Sequence, residues 1–135
     1  MKNEELRVKR ILLVEDQDDN RRIVRDLLGA AGYELVEAIT GEEGIAMAES
    51  HRPDLILMDI QLPGVDGYEA TRRIRANPAL AHIPIIAVTS YALSGDDVKA
   101  REAGCDDYVA KPFSPRALLA KIRQYLAEGG QGPPP

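Results

Sequence analysis

The chain has 135 residues, enough for one domain around one core. Its composition, 44% hydrophobic and 29% charged, is that of a soluble globular protein, and a net charge of −5 without a dominant basic patch argues against direct DNA or general nucleic-acid binding. No apolar run approaches the roughly 20 residues of a membrane span, "MKNEELRVKR" lacks the apolar centre of a signal peptide, and the single Cys105 excludes an internal disulfide, which fits a reducing, cytoplasmic setting.

Taken in chain order, short apolar runs alternate with amphipathic ones. "RILLV" (10–14) predicts a buried strand. "NRRIVRDLLGAAG" follows as a helix, with Ile23, Val24, Leu27, Leu28 and Ala31 on one broad face and Gly32 as its stop. "ELVEA" (34–38) predicts a second strand, and "TGEEGIAMAES" (40–50) a helix opened by the capping-box pair Thr40 and Glu43. "DLILMD" (54–59) is the third strand and "GYEATRRIRAN" (67–77) a helix that stops at Pro78. "PIIAVTS" (84–90), "SGDDVKAREAG" (94–104) and "DYVAK" (107–111) continue as strand, helix and strand. "SPRALLAKIRQYLAE" (114–128) is the last helix, with Ser114 as N-cap, Pro115 at the first position and a core stripe of Leu118, Leu119, Ile122, Tyr125 and Leu126. Residues 1–8 form an N-terminal extension, 9–128 the domain, and "GGQGPPP" (129–135) a tail expected to be disordered.

Strands alternating with helices imply a parallel sheet covered on both faces, joined by right-handed crossovers. The expected fold is α/β, a doubly wound (βα)5 flavodoxin-like three-layer sandwich with strand order 2-1-3-4-5. Ligands of such folds bind beyond the carboxyl ends of the strands. Strand 1 ends in Glu15 and Asp16, strand 3 in Asp59, strand 4 in Thr89 and Ser90, and strand 5 in Lys111. Each has a bland explanation alone: Asp16 or Asp18 could cap the first helix, Thr89 could sit in a turn, and Lys111 could be solvated. Their conjunction on one edge is much less readily an accident.

A buried carboxylate at Asp59 must reach water, find a cation or serve chemistry. Two like charges about 4 Å apart repel by about 4 kcal/mol at an effective dielectric near 20. Three carboxylates therefore raise one another's pKa unless a cation joins them. An all-oxygen donor set suits Mg²⁺, which keeps several waters and recruits phosphate oxygens. A carboxylate facing a phosphoryl donor can act as nucleophile, with cation, hydroxyl and ammonium holding the equatorial oxygens.

With its acid pair "VED", "MDIQLPGVDG", "VTS" and "YVAKPF", the sequence resembles the receiver domain of two-component response regulators over about residues 9–127. The gaps agree too: 43 residues from Asp16 to Asp59, 30 from there to Thr89 and 22 on to Lys111. The wording is most similar to stand-alone regulators of the cell-polarity type or receivers detached from hybrid kinases. The resemblance implies that Asp59 is the phosphoacceptor. It implies that Asp16 ligates Mg²⁺ directly, Glu15 through water, and Gln61 through its backbone carbonyl. Thr89 and Lys111 would hold the phosphoryl group, Tyr108 would turn inward on activation, and Lys111–Pro112 would be cis. Gln61 and Tyr91 would flank the path of the hydrolytic water, with the Tyr91 ring expected to shield the phosphoryl group.

The partners implied are a sensor histidine kinase or a histidine phosphotransfer protein, docking on the exposed side of helix 1 with Asn20 and Arg21. A downstream target protein would bind a face containing Asp97, Val98, Arg101, Tyr108 and Arg116. No membrane partner is expected, and the protein would be a monomer or a weak phosphorylation-dependent dimer. It would be no enzyme but a signalling phosphoacceptor that catalyses its own phosphorylation and slow self-dephosphorylation. Only about eight residues follow the last helix, so output is expected through protein binding; the chain could equally be a module cut from a larger kinase.

Rival readings fare worse. A haloacid-dehalogenase-type phosphatase needs a second acid where Gln61 stands. A flavodoxin-like carrier needs a hydroxyl- and glycine-rich phosphate loop where "EDQDDN" stands. A Walker nucleotide binder needs G-x-x-x-x-G-K. An interaction module working without phosphorylation is compatible with the fold, but no residue favours it. Cys105 is expected to be a small core or semi-buried filler, with a redox role as the lesser alternative, His51 and His82 to lie in loops without zinc spacing, Asp18 and Asp19 to form a solvated helix start, and Tyr33 and Tyr68 to pack.

Overall fold

In the computed structural model, which describes residues 8–90 and 96–126, strands and helices alternate along the chain. They are β1 (Arg10–Val14), α1 (Asp18–Ala30), β2 (Glu34–Ala38), α2 (Gly41–His51), β3 (Leu55–Asp59), α3 (Gly67–Ala76), β4 (Ile85–Thr89), α4 (Asp96–Ala103), β5 (Asp107–Ala110) and α5 (Pro115–Tyr125). The strands form one parallel sheet in the order β2-β1-β3-β4-β5, as the alternation predicts. The expected tail, 129–135, lies outside the described residues.

The alternation of side chains along each strand divides the apolar residues between two cores. Leu12, Val14, Ile56, Met58, Ile85 and Ala87 point to one face, where they meet Ala48 of α2, Ala70 and Ile74 of α3 and Ala100 of α4. Ile11, Leu13, Leu55, Leu57 and Ile86 point to the other, against Val24 and Leu28 of α1 and Leu118 and Ile122 of α5. β3 and β4 are buried along their whole length. Each fully buried Leu or Ile contributes roughly 1.5–3 kcal/mol, so these central strands fix the frame that carries the site.

Helix starts follow local chemistry. Thr40 Oγ1 accepts from the Glu43 amide at 3.0 Å, while Glu43 Oε1 accepts from the Ile39 amide at 2.7 Å, one residue before the position a capping box normally serves. Ser114 caps α5 through the Ala117 amide at 3.2 Å. Asp66, not foreseen as a cap, serves α3 through the Glu69 amide at 2.9 Å. α1 differs: its N-cap is Gln17, which makes no side-chain cap bond, so neither Asp16 nor Asp18 caps it.

Three further expectations need correction. Ile23 is 49% exposed rather than part of the core, because α1 buries only the narrow stripe of Val24 and Leu28, flanked by half-buried Leu27. His51 is the last residue of α2 and not a loop residue. Arg21 does not project outward; its side chain is 13% exposed and folds back on the β1–α1 connection.

Arg75, near the end of α3, fastens two connections. Its guanidinium donates to the carbonyls of Gly104 (2.8 Å), Ala81 (2.9 Å) and Ile83 (2.6 Å) and pairs with Asp106 Oδ2 at 2.7 Å. The same Asp106 oxygen accepts from the Ile85 amide at 2.9 Å, tying the clamp to the start of β4.

Candidate functional site

The register puts the acids side by side. Val14 pairs with Met58, so one step further along both strands Glu15 stands next to Asp59. Asp59 pairs with Val88 and Thr89 with Ala110, which brings Thr89 and the following Lys111 to the same edge. The Lys111 amide donates to the Thr89 carbonyl at 2.7 Å, and the Lys111–Pro112 peptide is cis.

Glu15, Asp59 and Thr89 are buried, whereas Asp16 and Gln61 face solvent. Lys111 Nζ bridges the two buried acids, 3.1 Å from Glu15 Oε1 and 3.2 Å from Asp59 Oδ2. The second oxygens are also engaged: Glu15 Oε2 accepts from the Gln17 amide at 3.2 Å and Asp59 Oδ1 from the Gln61 amide at 2.9 Å. One ligand oxygen each from Glu15, Asp16 and Asp59 lies within 4.8 Å of the others.

Three carboxylates share one ammonium. Burial pushes Asp59 up from 3.8 to about 6, with the Glu15 charge adding to the rise while the Gln61 amide and Lys111 oppose it. Lys111 shows the complementary response. Burial disfavours its charge, but Asp59 and Glu15 outweigh that effect and raise its pKa. A hard divalent cation fits this arrangement, since the donors are all oxygens and the exposed Asp16 leaves room for retained waters.

A cleft of about 380 Å³ opens beside Lys111, lined by Asn20 and Ile23 of α1 together with Ser90, Lys111, Pro112 and Phe113. Ile23, expected in the core on periodicity, is thus an exposed apolar residue that lines the cleft beside Lys111 together with Phe113. Of the residues expected on the face made by α4, β5 and α5, Val98, Arg101 and Arg116 are exposed, Asp97 is half-buried, and Tyr108 is half-buried against the core beneath α4. Tyr91 lies outside the described residues.

The remaining minor expectations are simple packing. Cys105 is buried, with Sγ 3.7 Å from Thr71 Oγ1, and burial raises its pKa. Tyr33 and Tyr68 pack against the two cores.

The neighbourhood of Glu15 contains one feature that the spacing of motifs did not reveal. The Glu15 amide donates to the Ala38 carbonyl at 2.9 Å, and the Glu15 carbonyl accepts from Arg21 Nη1 at 2.9 Å. Arg21 also pairs with Asp18 and stands 3.5 Å, through Nε, from Glu37 Oε1 on β2. Glu37 is gripped from the other side by Arg25 at 2.7 and 2.8 Å, which lowers its pKa. A base four residues into a helix, following two acids, was the available signal.

The fold and this edge define a doubly wound α/β protein with an acidic, lysine-bridged pocket at the carboxyl ends of β1, β3 and β5. The family model for the response regulator receiver domain matches residues 11–123, and the chain belongs to that family. It is similar to the polar-differentiation response regulator DivK of Brucella anthropi, 44% identical over 120 residues, covering 89% of this chain and 98% of that protein. Among solved structures, it resembles the receiver domain of a sensor histidine kinase from Pseudomonas aeruginosa PAO1, which has a magnesium ion coordinated in its active-site cleft. That likeness has a TM-score of 0.84 and 39% identity, covering 90% of this chain and 100% of that one. A CheY-like receiver from Methanospirillum hungatei has a TM-score of 0.82 and 36% identity, covering 89% and 94%. Among the described residues, no helix is long and apolar enough to cross a membrane.

Proposed function

We propose that this receiver accepts a phosphoryl group on Asp59 from a phosphohistidine donor, in the presence of Mg²⁺, and thereby changes a protein-binding face. The observation that carries the reading is the Lys111 bridge between buried Glu15 and Asp59, with Asp16 in reach of both.

Asp16 and Asp59 would hold the ion directly, with the Gln61 carbonyl as a further ligand. Glu15 would contribute through water, the role the family resemblance gives it; Lys111 and Gln17 hold its two oxygens, as Lys111 and Gln61 hold those of Asp59. When bound, Mg²⁺ neutralises charge on the transferring phosphoryl oxygens. The magnesium in the Pseudomonas receiver supports this choice of metal.

An Asp59 carboxylate oxygen attacks phosphorus in line as the donor's nitrogen–phosphorus bond breaks, and the bonding electron pair stays with the imidazole nitrogen. The product is an acyl phosphate on Asp59. Its new negative charge draws the Lys111 ammonium from the carboxylates toward the phosphoryl oxygens, and Thr89 supplies a hydroxyl donor from the neighbouring strand. Movement of Thr89 makes room for Tyr108 to move further in, shifting a pre-existing equilibrium in the α4–β5–α5 face.

The donor, a sensor histidine kinase or histidine phosphotransfer protein, would approach over Asn20, Ile23 and the cleft beside Lys111. A target protein would read α4, β5 and α5. The experiment is incubation with Mg²⁺ and acetyl phosphate, followed by intact mass and peptide analysis. One base-labile phosphate on Asp59, absent from Asp59→Asn, is expected; undiminished labelling of that variant would refute the assignment.

A further inference from the structure

We propose that Arg21 is a positioning residue for the metal site, holding the Glu15–Asp16 peptide so that the Asp16 carboxylate is aimed at the cation before it binds. The inference rests on the Mg²⁺ reading above.

The peptide joining Glu15 to Asp16 is planar, so fixing its carbonyl oxygen also fixes the direction of its N–H and the place of the Asp16 Cα. Arg21 Nη1 holds that oxygen at 2.9 Å. The Glu15 amide is held from the other side by Ala38 at 2.9 Å, and the Glu15 side chain by Lys111. Asp16 itself is exposed, and it stands just before a helix whose N-cap Gln17 contributes no side-chain bond. The usual side-chain cap is therefore absent one residue after Asp16, and the chain there is held by the Gln17 amide's bond to Glu15 Oε2 and by Arg21.

Arg21 occupies an electrostatically poor position for a cation, within the first turn or so of a helix, near the positive end of its dipole. It is compensated by Asp18 and by Glu37, which reaches from β2 and is itself braced by Arg25. A guanidinium with donors in a planar fork can serve the Glu15 carbonyl and these carboxylates together; an ammonium cannot span them in the same way. Such an outer contact sets ligand direction without touching the ion.

The test is Mg²⁺ titration of the purified protein, followed by amide chemical shifts, in wild type, Arg21→Ala, Arg21→Lys and Arg25→Ala, with thermal midpoints measured in EDTA. Arg25→Ala removes a brace on Glu37 without touching the Glu15 carbonyl, so it reports general loosening of α1 against β2. Arg21→Ala is expected to weaken Mg²⁺ binding on the order of ten-fold, with Arg21→Lys in between and Arg25→Ala like wild type. If Arg21→Ala does not fold, the comparison of Arg21→Lys with Arg25→Ala decides. Wild-type affinity in the folded Arg21 variants would overturn the proposal, as would an equal loss in Arg25→Ala. A wild-type protein that binds no Mg²⁺ would instead overturn the reading beneath it.

Discussion

The backbone of Asp59 leaves no space for a side chain at Gly67. A β-carbon built there would lie 2.3 Å from the Asp59 carbonyl oxygen and 2.7 Å from the Ile60 Cα. The Gly67 amide donates to the Ile60 carbonyl at 3.0 Å, so the first turn of α3 sits directly on the end of β3. Gly67→Ala must push α3 away or shift the strand end that carries Asp59. It should cost about 2 kcal/mol in urea unfolding and slow phosphorylation of Asp59. Gly29→Ala in α1, where nothing lies within 4 Å of the added carbon, should instead be neutral or stabilise by about 0.5 kcal/mol. Equal stability of the two variants would contradict the close contact.

The charge on Asp59 should be visible in metal-free stability. Its pKa is about 6 in the fold against 3.8 unperturbed. Between those values the folded state binds a proton that the unfolded chain has released, so this group's contribution falls as pH rises through the window. Above it, the ionised carboxylate costs on the order of 3 kcal/mol. Asp59→Asn should therefore stabilise the protein in EDTA at pH 7.5, with the gain fading toward pH 4. A gain independent of pH would show that the carboxylate is not held in the strained ionised form.

Metal dependence should divide the site residues by role. Asp16→Ala should abolish Mg²⁺-induced shifts and phosphorylation together. Lys111→Ala removes the ammonium that competes for Glu15 and Asp59, so it should retain Mg²⁺ binding while losing the conformational response to phosphorylation. Amide shifts with Mg²⁺, with and without beryllofluoride, check both. Full labelling of the wild type in excess EDTA would count against the cation.

Arg75 should matter for stability rather than chemistry. Truncation to alanine takes the donor from the part-buried Gly104 and Ile83 carbonyls and removes its bonds to the exposed Ala81 carbonyl and Asp106 carboxylate. The expected loss is roughly 3 kcal/mol in urea unfolding, with Mg²⁺ affinity unchanged in the folded fraction. A loss below about 0.5 kcal/mol, the level of an ordinary surface substitution, would show that the clamp is not held in solution.

Much of this architecture was legible because its signals are local. β3 and β4 are unbroken apolar runs, and Thr40 and Ser114 are caps whose chemistry completes itself within three residues. The strand ends showed which groups share an edge because every strand of a parallel sheet runs the same way. Periodicity misplaced Ile23 because it gives the direction of an apolar face and not the width that the neighbouring elements cover. Arg21 and Arg75 were illegible for a different reason. Each is a long side chain that turns back to carbonyls or acids brought near by the fold, so its partners have no fixed spacing in the sequence.

The division of the apolar residues between two sides of the sheet has a consequence for how such a molecule can diversify. Helices α1 and α5 rest on one core; α2, α3 and α4 rest on the other. Substitutions at distant positions that share no partners combine nearly additively. On the proposed docking faces, substitutions over α4 would change the listener while the surface over α1 keeps its speaker, and α5, which shares a core with α1, is where the two remain joined. The sheet works as a partition between two vocabularies, and Asp59, at its edge, is the word they share.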